Sequence, residues 1–256
     1  MHSTTQQHNY VISLLTAKER RNHIIQEFGK QDIPFEFFDA ITPDLIEEKA
    51  NEFGIDISNS PLTKGEMGCA LSHIALWHFA KENKLDYICI FEDDIYLGEN
   101  AKKFLTNSYV NHDVDVIKLE KHSSKIIYAT NLEAHFCNRA LHKLKSKHTG
   151  TAGYILTAKG IKYLLEKIKI YQLSIPVDVL MFEKFLKKSD YKVLQLTPAI
   201  CIQDDVLNKE INFKSTLSDE RNNNKGKTNL AKLYREITRP FIQLRKKLFS
   251  KNIEFK

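Results

Sequence analysis

Glu92, Asp93 and Asp94 are three adjacent carboxylates that end an apolar run, Tyr87-Ile88-Cys89-Ile90-Phe91. Like charges this close repel one another, so a fold gains nothing by placing them at the end of a buried strand. On an extended backbone Glu92 and Asp94 point to the same side. Two carboxylates on one side make an oxygen-rich site for a hard divalent cation, manganese or magnesium. The other reading is a solvated strand-to-helix turn with Asp94 as N-cap. Strand ends in α/β sheets are where ligand crevices form.

Other residues with chemistry are scattered along the chain. Asp178 follows Pro176-Val177 at the start of a helical pattern. It is either a functional carboxylate or an ordinary acid in a first helical turn, favoured there by the dipole. His73 lies inside a helix and is either a structural hydrogen-bonding group or a catalytic one. Trp77, the single tryptophan, is one turn beyond; sugars stack on indoles, but burial in the core is the preferred reading. Gly150 and Gly153 punctuate Thr149–Tyr154, where glycine permits either close approach to a ligand or tight sheet packing. Gln203-Asp204-Asp205 reads as a polar turn in preference to a metal or pyrophosphate site.

Several elements must position these groups. Tyr10–Leu15 predicts a buried strand. Thr16 with Glu19 fits a capping box for a helix reaching Phe28, stopped by Gly29. Phe35–Phe38 is a second strand, so the chain opens as an α/β unit. Residues 43–63 read as a loop or short helices. Met67, Leu71, Ile74, Ala75 and Phe79 recur at helical spacing from Gly65. Strands follow at 87–91, 114–119 and 191–196, a glycine-punctuated segment at 149–156 leads into another, and helices fall at 158–168 and 177–187. Residues 120–148 are polar and poorly patterned, and there is no internal repeat.

The 256 residues suffice for one large domain, and 42% hydrophobic with 27% charged residues fits a globular fold. No stretch is long and apolar enough to span a bilayer, and the polar start has no secretory core, so the expectation is cytoplasmic. Cys69, Cys89, Cys137 and Cys201 show no paired spacing and read as reduced thiols, mostly buried. The charge is uneven. Residues 225–256 hold ten lysines and arginines against two glutamates, a net +8, while the first 224 residues carry 28 basic and 30 acidic residues. That distribution fits contact with an anionic surface rather than a nucleic-acid groove.

The order of motifs carries a resemblance. Tyr10-Val11-Ile12-Ser13-Leu14, Glu19-Arg20-Arg21, Ile33–Ile41, Gly65-Glu66-Met67-Gly68-Cys69-Ala70-Leu71-Ser72-His73 and Ile90-Phe91-Glu92-Asp93-Asp94 together resemble glycosyltransferase family 25, over about Tyr10 to Asp205. The resemblance implies an α/β, GT-A-like nucleotide-sugar-binding sheet flanked by helices. It implies inverting, metal-dependent transfer of a hexose, galactose in the first instance, from a UDP-sugar to a lipooligosaccharide glycan. The triplet looks like a DxD-type motif, with Asp94 the main ligand of a manganese or magnesium ion. Glu92 assists it, and Glu92 or Asp93 meets the ribose or a metal-bound water. Donor contacts fall to Ser13, Arg20, Glu66, Gly150 and Gly153, with Gly68 beside Glu66. Asp178 matches a Pro-x-Asp segment, as base or as a hexose-hydroxyl ligand, and His73 joins it as a catalytic candidate.

The expected organisation is a GT-A-like domain over 1–213, a linker over 214–228 and a basic amphipathic tail over 229–256. Leu230, Leu233, Tyr234, Ile237, Phe241, Leu244 and Leu248 form one helical stripe, divided at Pro240. Such a helix either lies on the inner face of the bacterial inner membrane or docks on the body. The expected partners are a UDP-sugar, a glycolipid or oligosaccharide acceptor and that membrane surface, with no nucleic acid. Two rival readings are a metal-dependent phosphodiesterase, for which a convincing set of further ligands is missing, and a non-enzymatic nucleic-acid-binding protein.

Overall fold

β1 (Asn9–Ser13) is buried along its whole length, between β2 (Glu36–Asp39) and β3 (Tyr87–Glu92), both parallel to it. A strand covered on both faces is apolar at successive positions, which is why Tyr10–Leu14 shows so little alternation. The computed structural model that shows this describes residues 6–208 and 247–256. α1 (Lys18–Gly29) links β1 to β2; α2 (Ile46–Phe53) and α3 (Lys64–Glu82) lead back to β3.

Beyond β3 the sheet is mixed. β9 (Gly153–Thr157) lies antiparallel between β3 and β5 (Val116–Lys118). β10 (Val193–Thr197) is parallel to β5 and antiparallel to β8 (Arg139–Leu144), and β7 (Tyr128–Phe136) forms the edge. The order is β2-β1-β3-β9-β5-β10-β8-β7. Two short pairs flank it: β4 (Ile95–Leu97) with β11 (Cys201–Gln203), and β6 (Lys125–Ile126) with β12 (Lys251–Asn252).

Alternating strand residues feed two cores. Tyr10, Ile12, Ile88, Ile90, Tyr154 and Leu156 pack with α3 and with α4 (Ala158–Tyr171). Val11, Cys89, Phe91, Ile117 and Ile155 pack with α1 and Phe104 on the other face.

Local details depart from the sequence expectation. The capping box at Thr16 does not form: α1 begins after Ala17 with no side-chain cap. The box occurs instead at α3, where the Thr63 hydroxyl accepts from the Glu66 amide at 3.1 Å and Glu66 accepts from the Thr63 amide at 3.0 Å. The expected helix over 177–187 is α5 (Val177–Val179), a π-turn at Leu180–Lys184 and a 3-10 turn at Phe185–Lys187. The unpatterned stretch before Gly150 holds the β7–β8 hairpin; β7 is partly exposed and irregular in register, and its breaks between Tyr128 and Ala134 interrupt the alternation a strand would show.

The linker at 214–228 and the stripe from Leu230 to Leu244 lie outside the described residues. The end of the expected tail is an extended strand on the body. β12 pairs with β6, Ile253 is buried with its amide on the Ser124 carbonyl at 3.0 Å, and the Ala199 amide donates to the Glu254 carbonyl at 2.8 Å. Leu248 is exposed. No disulfide joins the four cysteines, of which Cys89 and Cys201 are buried and Cys137 is exposed. Among the described residues, no helix is long and apolar enough to cross a membrane.

Candidate active site

β3 ends at Glu92 and β4 begins at Ile95, so the triplet is the sharp link between two buried strands. That link turns Asp93 away from its two neighbours. Asp93 points back into the fold, where Ser13 Oγ donates to it at 2.7 Å and Arg20 Nη1 at 2.8 Å. Glu92 and Asp94 face a cavity. Gln203 Nε2 lies 3.3 Å from Glu92 Oε2 and 3.3 Å from Asp94 Oδ1, and Thr151 Oγ1 donates to Glu92 Oε1 at 2.7 Å. The Arg20 guanidinium, 3.8 Å from Asp94, is already engaged by Asp93.

The electrostatics follow from this geometry. Burial, then the charges of Glu92 and Asp93, push the Asp94 carboxyl up to about 7; Arg20 and Gln203 offset only part of that. Burial also works against the Glu92 carboxylate, but the His73 imidazole, the Thr151 hydroxyl and the Lys118 ammonium outweigh it and hold Glu92 below the ordinary range. Among the described residues the guanidinium of Arg20 is bound to Asp93, and both cavity-facing carboxylates offer oxygen, so the residues fit a hard dication.

The cavity holds about 220 Å³ and is lined by Arg20, Glu66, Glu92, Asp94, Gly150 and Asp178, together with Cys69, His122, Thr151, Gln203 and Asp205. Its far wall rests on a buried ion pair. Lys118 Nζ donates to Glu120 Oε2 at 2.9 Å and to the Gly150 carbonyl at 2.5 Å, with both charged side chains fully buried. Gly150 has φ +97°, and a Cβ there would stand 2.5 Å from Glu120 Oε1. Its amide donates to Asp178 Oδ2 at 3.2 Å, while Oδ1 accepts from the Val179 amide at 2.8 Å. His148 braces the same wall: burial lowers its basicity well below the usual range, its Nδ1 meets Gln195 Oε1 at 2.8 Å and its Nε2 accepts from the His122 and Ser123 amides.

The profile of glycosyltransferase family 25, described as LPS biosynthesis protein, matches residues 6–181. The chain belongs to this family. It is 49% identical, over 100% of its length and 91% of the other's, to a Haemophilus influenzae protein named provisionally as a glycosyltransferase. It is 38% identical to the lacto-N-neotetraose biosynthesis glycosyltransferase LgtB of Neisseria meningitidis, over 77% of this chain and 75% of LgtB. It is 36% identical to the lipooligosaccharide biosynthesis protein lic2B of Haemophilus influenzae, over 83% and 82%. Membership in family 25 makes the reaction a glycosyl transfer and removes the phosphodiesterase and nucleic-acid readings. The mixed sheet flanked by helices is the α/β class expected from the sequence.

The family 25 fold gathers most of the expected site residues and sets others behind them. Arg20, Glu66, Glu92, Asp94, Gly150 and Asp178 share the cavity. Ser13 and Asp93 are buried and bonded to each other, so neither is among the lining residues. Gly153 sits in β9 against Cys201, where a Cβ would approach Sγ to 2.6 Å, and Gly68 packs on the Ile41 carbonyl. His73 is fully buried; its Nδ1 is 2.9 Å from Tyr154 Oη, which also accepts from Trp77 Nε1 at 3.0 Å. Trp77 is therefore in the core, as the preferred reading had it. Gln203 and Asp205, read as part of a turn, line the cavity. Lys118, Glu120 and His122 were missed, although the charged pair flanking Leu119 at the end of an apolar strand is a signal of the same kind as the triplet.

Proposed function

We propose that the protein transfers galactose, with inversion, from UDP-galactose to a lipooligosaccharide glycan, forming a β-glycoside. The observation that carries this reading is that the Glu92 and Asp94 carboxylates share one cavity with Asp178. The galactose assignment rests on the relatives that act in lacto-N-neotetraose and lipooligosaccharide biosynthesis.

Asp94 and Glu92 would hold the divalent cation, with Gln203 fixing both carboxylates from its amide nitrogen. A bound manganese or magnesium ion supplies charge neutralisation on the departing diphosphate. Arg20 contributes positive charge at the same rim, locked in place by Asp93. Each Asp178 oxygen accepts one backbone hydrogen bond, which orients the carboxylate and leaves lone pairs toward the cavity. Asp178 takes the proton from the acceptor hydroxyl as that oxygen attacks the anomeric carbon. The bond from that carbon to the β-phosphate oxygen breaks on the opposite face, and its electron pair leaves with UDP. His73, buried behind Glu92, acts through that carboxylate rather than on substrate.

The acceptor of this reading is a membrane glycolipid, and the +8 segment from 225 to 256, apart from its docked end at 251–256, would supply charge for the inner leaflet, where each basic residue contributes on the order of 1 kcal/mol. A donor screen scored by UDP release tests the central reading. UDP-galactose should be the preferred donor, with release stopped by EDTA and restored by manganese. Preference for another donor sinks the galactose assignment, and full turnover in EDTA sinks the metal.

A further inference from the structure

Behind the hard-cation pair lies a second donor set of different chemistry. Cys69 and His73 are four residues apart on α3 and so share the face turned toward β3. Cys69 Sγ, a His73 ring nitrogen and a Glu92 carboxylate oxygen lie within 4.8 Å of one another. His73 Nε2 is fully buried, and the Glu92 Oε1 that faces it stands 3.6 Å away, too far for a hydrogen bond. A buried nitrogen left this way carries a desolvation cost that a bound ion removes.

We infer that Cys69, His73 and Glu92 form a soft-metal site that takes zinc and, through the shared Glu92, weakens the hold on the catalytic cation. This rests on the reading of Glu92 as a ligand of that cation. Thiolate, imidazole and carboxylate are a donor set that suits zinc and not manganese or magnesium. Two ligands on one tetrahedral zinc sit about 3.5 Å apart, given metal–ligand bonds of about 2.0–2.3 Å. The His73–Glu92 separation already meets this, and the remaining spread closes by about 1 Å.

The supporting groups fit as well. Tyr154 Oη, 2.9 Å from His73 Nδ1, fixes the ring with Nε2 toward the site, as the outer partner of a metal-bound histidine does. Trp77 Nε1 only donates, so the Tyr154 proton is free for His73 Nδ1 when no metal is bound. On binding, the ring proton passes from Nε2 to Nδ1 and Tyr154 turns from donor to acceptor. The Cys69 thiol loses one proton to solvent, and thiolate plus carboxylate balance the dication. Glu92 offers Oε1 to this site, while its Oε2 accepts from Gln203 Nε2, which also meets Asp94 Oδ1. Zinc on the first oxygen withdraws charge from the second, and the two dications repel.

Cobalt is the probe, added to the full-length reduced protein. One equivalent should give thiolate-to-cobalt charge-transfer absorption, displaced by zinc. Cys69→Ser should abolish the band; Cys137→Ser, at the exposed thiol, and Asp94→Asn should keep it. Absence of the band at one equivalent, or its persistence in Cys69→Ser, overturns the site. X-ray absorption on zinc-loaded native protein keeps the test open if Cys69→Ser misfolds: one sulfur ligand supports the site, and none overturns it. Zinc should raise the manganese concentration for half-maximal transfer by about tenfold, a typical coupling between sites; no change overturns the antagonism. Manganese dependence surviving in Asp94→Asn would instead refute the proposed function and leave the cobalt result standing.

Discussion

Glu120, fully buried, and Asp94, half-buried at the cavity it lines, are two carboxylates that the fold treats differently. Burial pushes the Glu120 carboxyl up, and Lys118, two residues away on the same strand end and bound to it at 2.9 Å, offsets part of that rise. Asp94 has Glu92 and Asp93 for neighbours, and its nearest guanidinium is bound to Asp93. A carboxylate with its own permanent cation becomes framework: Glu120 holds Lys118, Lys118 holds Gly150, and Gly150 holds Asp178. A carboxylate whose counter-charge is shared out is left to complete itself with an ion from solution. The comparison separates the part of the site that builds the wall from the part that does chemistry.

The strongest way to break this comparison is Asp94→Ala. Transfer should fall by about 10³-fold or more, since lost charge stabilisation in the transition state is worth several kcal/mol. The melting temperature should hold or rise, because a repelling charge has been removed. Unfolding of this variant would place Asp94 with Glu120 in the framework. Lys118→Met addresses the opposite pole. It strands a buried Glu120, and chemical denaturation should show a loss of about 3–5 kcal/mol. Lys118→Met combined with Glu120→Leu should recover most of that stability, because an apolar pair replaces the buried ions. A double variant as unstable as the single one would mean that the ion pair is not the source of the loss.

Asp178→Asn sharpens the link between the two poles. As the base, it should cost about 10²-fold in kcat, with UDP affinity nearly unchanged in calorimetry. A parallel fall in UDP affinity assigns Asp178 to the donor instead. The smallest effect concerns pH. Asp94 titrates near 7, so manganese must displace a proton below that pH. Affinity should weaken about tenfold per pH unit below 7 and level off above it. The stability sign is opposite: the folded state binds this proton more tightly than the unfolded chain does. Without metal, stability should therefore decline as pH rises from about 4 to 7, and Asp94→Asn should remove both slopes.

Much of this was legible in the sequence because it is local. The apolar run into Glu92-Asp93-Asp94, the helix from α3's first turn and the strand at Tyr10 follow from periodicity and charge over neighbouring residues. Glu66, Arg20 and Asp178 were found by the order of motifs. The β7–β8 hairpin was not, since register breaks in β7 interrupt the period-two pattern that would announce it. The division of labour inside the triplet was also hidden. Which of three adjacent acids faces the cavity depends on a turn and on Ser13 and Arg20, about 80 and 73 residues away in the chain.

The sequence alone thus determined the layers of the fold, the presence of an excess of carboxylates at one strand end and the concentration of positive charge after residue 225. Periodicity and composition are properties of short segments, so the chain carries them before it folds. Only the tertiary structure decided that Asp93 is spent and Asp94 is not, that Gln203 joins the acids, that Lys118 stands under Gly150 and that the last six residues lie along β6 and Ala199. Those assignments depend on distance in space and on which counter-charge each buried group meets, and neither exists until the strands have paired.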